Sequence, residues 1–157
     1  MFEVIKLIAI TFLPFLELRA SIPYGIFSAK MHWITVFFIC IIANIVVGLI
    51  IYFLLEWVIK LLTYFPPIAR IWNRYVERTQ AKIHAGVEKY GEWAVAVFIG
   101  IPLPGSGVYS GALASFLIGL GFRKFVVANI LGVLIAGVLV TIASLTGSEI
   151  LSIFLKN

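Results

Sequence analysis

Between Pro14 and Pro23 the chain carries a carboxylate and a guanidinium, Glu17 and Arg19, in a stretch that is otherwise apolar apart from Ser21. Ionisable groups at bilayer depth cost roughly 2.5–3.5 kcal/mol each on insertion scales, so residues kept there mark a functional site. Arg19 offers a planar fork suited to phosphate or carboxylate. Glu17 is the one acid placed to titrate at depth, which makes it the candidate for proton coupling. Ser21 and Tyr24 add hydroxyls beside Pro23. A matching set lies in Ile101-Pro102-Leu103-Pro104-Gly105-Ser106-Gly107-Val108-Tyr109, where Pro102 and Pro104 break the backbone and Ser106 and Tyr109 supply hydroxyls. The structural alternative is that Glu17 and Arg19 neutralise each other or cap backbone groups as a lock. Asn44 and Asn129 are weaker candidates, because polar residues within spans usually bind neighbouring helices.

Positioning these groups requires elements that reach mid-membrane and stop. The 157 residues are 62% hydrophobic and 12% charged, with a mean hydropathy of +1.12, which is the composition of a membrane protein. Phe2 to Leu13 would reach about 18 Å as a helix, enough for the midplane and no further. The prolines then predict a break, so the stretch reads as the tip of a re-entrant hairpin, with Ile22 to Ala29 as its returning arm. Trp33 to Leu55 and Phe125 to Gly147 are the two full spans. Helical arms that begin near Pro23 and near Ser106-Gly107 would aim free N–H groups at the meeting place, and that favours an anion.

Residues 66–91 follow Pro66-Pro67 with apolar residues at helical spacing and a stripe of Arg70, Arg74 and Arg78, with Lys82 and Lys89 beyond. This predicts a basic amphipathic helix on the membrane surface, cytoplasmic by the positive-inside rule. The charge balance of +5 therefore points to anionic lipid rather than to nucleic acid.

Sliding the chain by 85 residues places Ser21 on Ser106, Tyr24 on Tyr109 and Ala43-Asn44-Ile45 on Ala128-Asn129-Ile130. About a quarter of the positions match over 7–50 and 92–135. The expected organisation is one membrane domain: repeat one over 1–65, the linker helix over 66–91 and repeat two over 92–157. With one full span per copy the two repeats would be inverted, and their tips would meet near the midplane.

All seven acids are glutamates, so no multi-carboxylate metal site is expected, and no cofactor. Cys40 is expected to fill space. Hydrolysis needs a nucleophile with a base in reach, yet His32 and His84 fall at interfaces and Gly105-Ser106-Gly107 lacks the spacing of a nucleophile elbow. No enzyme is expected.

The stretch Leu16-Glu17-Leu18-Arg19-Ala20-Ser21-Ile22-Pro23-Tyr24-Gly25, with Pro102-Leu103-Pro104-Gly105-Ser106-Gly107 and Gly111-Ala112-Leu113-Ala114, resembles the small multidrug export family of prokaryotes, over nearly the whole chain. That family is distantly similar to the DedA/VTT membrane proteins, whose two re-entrant hairpins face each other and which are linked to moving phosphate-bearing lipid carriers and scrambling lipids. The DedA pattern has acids in the first hairpin and an arginine-proline-arginine motif in the second. Here Glu17 and Arg19 share one hairpin, and the second carries no charge. Residues and resemblance together lead to an all-helical transporter in the cytoplasmic membrane. Its expected substrate is an anionic or phosphate-bearing amphiphile, and the alternatives are drug efflux, a channel or a structural subunit. Membrane lipid is the expected partner, and a homodimer is a candidate assembly because two full spans are few for a sealed pathway.

Overall fold

The computed structural model describes residues 2–14, 16–103 and 105–155, without the side chains of 68, 71, 75, 78–89 and 148–155. The described residues form α1 (Phe2–Thr11), α2 (Glu17–Pro23), a π-helical turn (Tyr24–Ser28), α3 (Trp33–Thr63), α4 (Pro66–Gly100), α5 (Val108–Leu117) and α6 (Phe122–Leu155). Helices α3 and α6 contain the two stretches long and apolar enough to cross a membrane, Trp33–Thr63 and Phe122–Gly147.

Helix α1 ends because Pro14 biases Leu13 away from the helical region. The chain then reverses through Glu17, whose backbone is left-handed at φ +46°. Leu7 and Thr11 on α1 and Leu18 and Ile22 on α2 are buried, each pair one helical turn apart, and the two short helices pack on one another along these stripes. Pro23 does not make the break expected of it. It sits in the last turn of α2, where its missing N–H is absorbed by a change of ladder: Ala29 N–H donates to the Tyr24 carbonyl, a π-type bond of 3.0 Å. The arm that follows the first break therefore starts at Glu17 and not near Pro23.

Helix α3 runs past the expected end at Leu55, since Trp57 to Thr63 are compatible with helix and Lys60 pairs with Glu56 at 2.9 Å one turn away. Pro66 and Pro67 open α4, where a missing N–H is harmless. The expected boundary at residue 92 falls inside this helix, which carries on to Gly100. It stops there because Pro102 holds Ile101 extended at ψ 120°.

Helix α6 packs against α4, α3 and α2, and α5 lies against α3 and α4. Apolar burial drives little association in lipid, where close backbone approach matters more. A side chain on Gly132 would meet Ile99 Cβ and the Ala96 carbonyl within 2.7 Å, so this glycine sets the α4–α6 distance. On α3 the buried face carries Val36, Cys40, Asn44 and Val47, while Phe38, Ile42, Phe53 and Trp57 are exposed.

Candidate functional site

The two breaks, residues 12–16 and 101–107, lie against each other, and side chains from each finish the backbone of the other. Glu17 is only 3% exposed, and its Oε2 accepts the N–H of Val108, the first residue of α5, at 3.3 Å. The carboxylate also faces the Tyr109 N–H and the Asn44 side chain. It thus occupies the positive end of a ten-residue helix. Gly107 makes this approach available: a Cβ there would stand 2.5 Å from Glu17 Oε2, and the glycine itself adopts φ +138°.

Arg19, about half a turn along the same short helix, serves the opposite dipole end. One terminal nitrogen donates to the Ser106 carbonyl, and the other donates to the Ile101 carbonyl at 3.1 Å and to Ser106 Oγ at 2.9 Å. Ile101 is the residue that ends α4, so the cation lies where carbonyls lack intrahelical partners. Ser106 Oγ has the Ile101 and Leu103 carbonyls in reach at 2.5 and 2.9 Å. In return, the Tyr109 hydroxyl donates to the Phe12 carbonyl in the first break at 2.5 Å.

Glu17 and Arg19 are not an ion pair: among the described residues, no cationic group lies within 4 Å of the Glu17 carboxylate. They cap backbone across the two breaks, which matches the capping half of the structural alternative. The same contacts engage groups that were expected to meet an anion. The α5 N-terminus is already filled by the protein's own carboxylate, and the terminal nitrogens of Arg19 are engaged by Ser106 and the Ile101 carbonyl, with Nε left without a partner.

A cleft of about 230 Å³ opens between the breaks, lined by Pro14, Glu17, Gly105, Ser106, Tyr109, Ser110 and Leu113. Four of the sequence candidates meet there or at its wall: Glu17, Arg19, Ser106 and Tyr109. Three do not. Ser21 is buried between α1 and α3, 2.8 Å from Thr11 Oγ1 and 3.2 Å from Cys40 Sγ. The Tyr24 hydroxyl donates to Glu3 Oε2 at 3.0 Å, near the start of α1, and Pro23 lies beside it in the chain. The reason is the early start of α2, which carries its second half away from the break. The 85-residue alignment therefore pairs Ser21 with Ser106, and Tyr24 with Tyr109, at unlike places. Pro102 is exposed in the second break; Pro104 lies outside the described residues, as do the side chains of Arg78, Lys82, His84 and Lys89. Asn44 and Asn129 are both buried on facing helices, and Asn129 Nδ2 donates to the Ile45 carbonyl at 3.1 Å. Sequence reasoning missed Ser110 and Leu113, although Tyr109, Ser110 and Leu113 share one face of α5 at helical spacing.

A model of the family described as "Putative small multi-drug export protein" matches residues 17–139, a range that opens on Glu17, just after the first break, and includes the second. The chain belongs to this family. No curated protein and no solved structure matches it. Family membership and the two long apolar helices make this a membrane protein of an export type. In this member of the small multi-drug export family, the described residues include no cluster of three His, Cys, Asp or Glu side chains that could hold a metal.

Proposed function

We propose that this protein is a small exporter that moves amphiphilic organic cations through the cleft between two facing re-entrant hairpins, in exchange for a small coupling cation at Glu17. The observation that carries this reading is a buried carboxylate with no cationic group within 4 Å among the described residues, set in the wall of a cleft of about 230 Å³. A single negative charge that two cations must share gives obligatory exchange: each can leave only when the other neutralises the site. Supporting the hairpin reading, α1 packs on α2 and the end of α4 on α5, and each such pair is followed by a long apolar helix. Facing pairs of this kind suit alternating exposure of a midplane site.

The test is flux into proteoliposomes. Wild-type protein accumulates a lipophilic quaternary ammonium dye under an imposed proton or sodium gradient, whereas Glu17→Gln reduces accumulation to the level of empty liposomes. Equal accumulation by the two proteins overturns the reading. A phosphate-bearing amphiphile is the second reading, favoured by one observation: Arg19 Nε is buried and has no hydrogen-bond partner. Transport of such a lipid, lost in Arg19→Ala and kept in Glu17→Gln, would select it.

A further inference from the structure

The polar side chains that line the cleft are Glu17, Ser106, Tyr109 and Ser110, and all but the last are engaged within the protein. Ser106 Oγ accepts from Arg19 and has the Ile101 and Leu103 carbonyls in reach. The Tyr109 hydroxyl donates to the Phe12 carbonyl. Glu17 accepts the Val108 N–H and faces the Tyr109 N–H and the Asn44 side chain, which occupies three of the roughly four lone-pair directions of a carboxylate. The Ser110 hydroxyl has no hydrogen-bond partner among the described residues. Its helix explains why. Ser115, further along α5, bonds back to the Gly111 carbonyl four residues earlier. For Ser110 the carbonyl four residues earlier is that of Ser106, which precedes the helix and is taken by Arg19.

A cation drawn into the cleft by Glu17 meets this free hydroxyl on the same wall. A primary ammonium carries three N–H groups, and the carboxylate has about one lone-pair direction left for them. The others need a second acceptor, which Ser110 Oγ supplies. A quaternary ammonium has no N–H to offer, and a site with an acceptor to satisfy disfavours the analogue that lacks the donor. Leu113, one turn further along α5 and 42% exposed, continues the same wall as apolar surface for the body of an amphiphile. We infer that Ser110 selects the head group, and that the favoured substrates are protonated amines joined to an apolar body, ahead of quaternary ammonium ions. The inference rests on the cation-exporter reading above and narrows its substrate class.

Equilibrium displacement tests it. A fluorescent lipophilic quaternary ammonium dye is bound to the purified protein in detergent at neutral pH, then displaced by phenethylammonium or by its N,N,N-trimethyl analogue. Wild type should release the dye at lower concentrations of the primary ammonium than of the trimethyl compound. Ser110→Ala should raise the displacing concentration of the primary ammonium about tenfold and leave that of the trimethyl compound unchanged. The second value reports that the variant is folded. Ser110→Thr keeps the hydroxyl and should stay close to wild type. A wild type that releases the dye equally well, or better, with the trimethyl compound overturns the inference whatever the variants do. So does a Ser110→Ala protein in which the two compounds shift together or not at all. Either outcome leaves the exporter reading standing as long as the dye binds. Dye that fails to bind wild type, or that binds Glu17→Gln as tightly, removes the exporter reading and this inference with it.

Discussion

Glu17 adopts a left-handed backbone, a conformation that costs a non-glycine residue about 1–3 kcal/mol and persists only where its surroundings impose it. What imposes it here is the carboxylate's place at the start of α5, reached across the missing side chain of Gly107. Gly107→Ala should therefore displace Glu17, both by collision with its carboxylate and by strain at φ +138°. The expected loss is at least ~1 kcal/mol of stability together with gradient-driven flux. Thermal unfolding in detergent and the liposome assay read the two effects, and an unchanged Tm would show that the approach is not tight. Arg19→Lys keeps the charge but not the fork, so one ammonium must replace contacts to Ile101 and Ser106. A loss of ~1–2 kcal/mol is expected, read as a lower Tm than wild type. A Tm equal to wild type would mean that charge alone suffices.

The elements explain which prolines break the chain. Pro102 follows a helix end and ends it, and Pro14 does the same for α1; Pro23 falls late in α2, where a π turn accommodates it. Both break regions were legible because proline removes a donor wherever it stands. The start of α2 was not, because nothing in Leu16-Glu17-Leu18 announces a left-handed glutamate. That one unexpected turn moved Ser21 and Tyr24 away from the cleft. The continuity of α4 was equally hidden: an amphipathic pattern and an apolar one meet near Trp93 without a helix stop between them. Coupling between the breaks gives a prediction at this scale. Tyr109→Phe removes the hydroxyl that holds the Phe12 carbonyl, a loss of ~1 kcal/mol. Hydrogen exchange should rise at the amides of Phe12, Leu13 and Leu16, with α3 unchanged. Equal protection in both proteins would show that the breaks are not tied at this point.

At the scale of the molecule, the spans were legible from hydropathy, and the family from the motifs at the two breaks. The partition of polar groups was not, since a sequence does not reveal which helix a polar side chain faces. Asn44 and Asn129 were read as helix glue; Asn129 joins α6 to the Ile45 carbonyl of α3, Asn44 faces Glu17, and the Oδ1 of each has no hydrogen-bond partner. The exposed apolar side chains of α3 and α6 give the molecule a lipid-compatible surface, and Arg70 and Arg74 are exposed near the start of α4. Arg70→Cys, in a Cys40→Ala background, should react with an externally added impermeant maleimide in inverted vesicles and not in right-side-out ones. Reaction from the opposite side would reverse the orientation. Two copies would enclose a fuller pathway than one, and light scattering should then give twice the 17.4 kDa of a single chain; a value of one chain would remove the dimer.

The central claim is that the Glu17 carboxylate is reached through the cleft by the transported cation. Hydrophobic carbodiimide labelling, located by peptide mass spectrometry, tests it most directly. Glu17 should carry the adduct, and rising concentrations of the quaternary ammonium substrate should slow its formation while leaving labelling of Glu56 unchanged. An adduct that forms at Glu17 at the same rate with and without substrate would contradict the account, as would a Glu17 that never reacts.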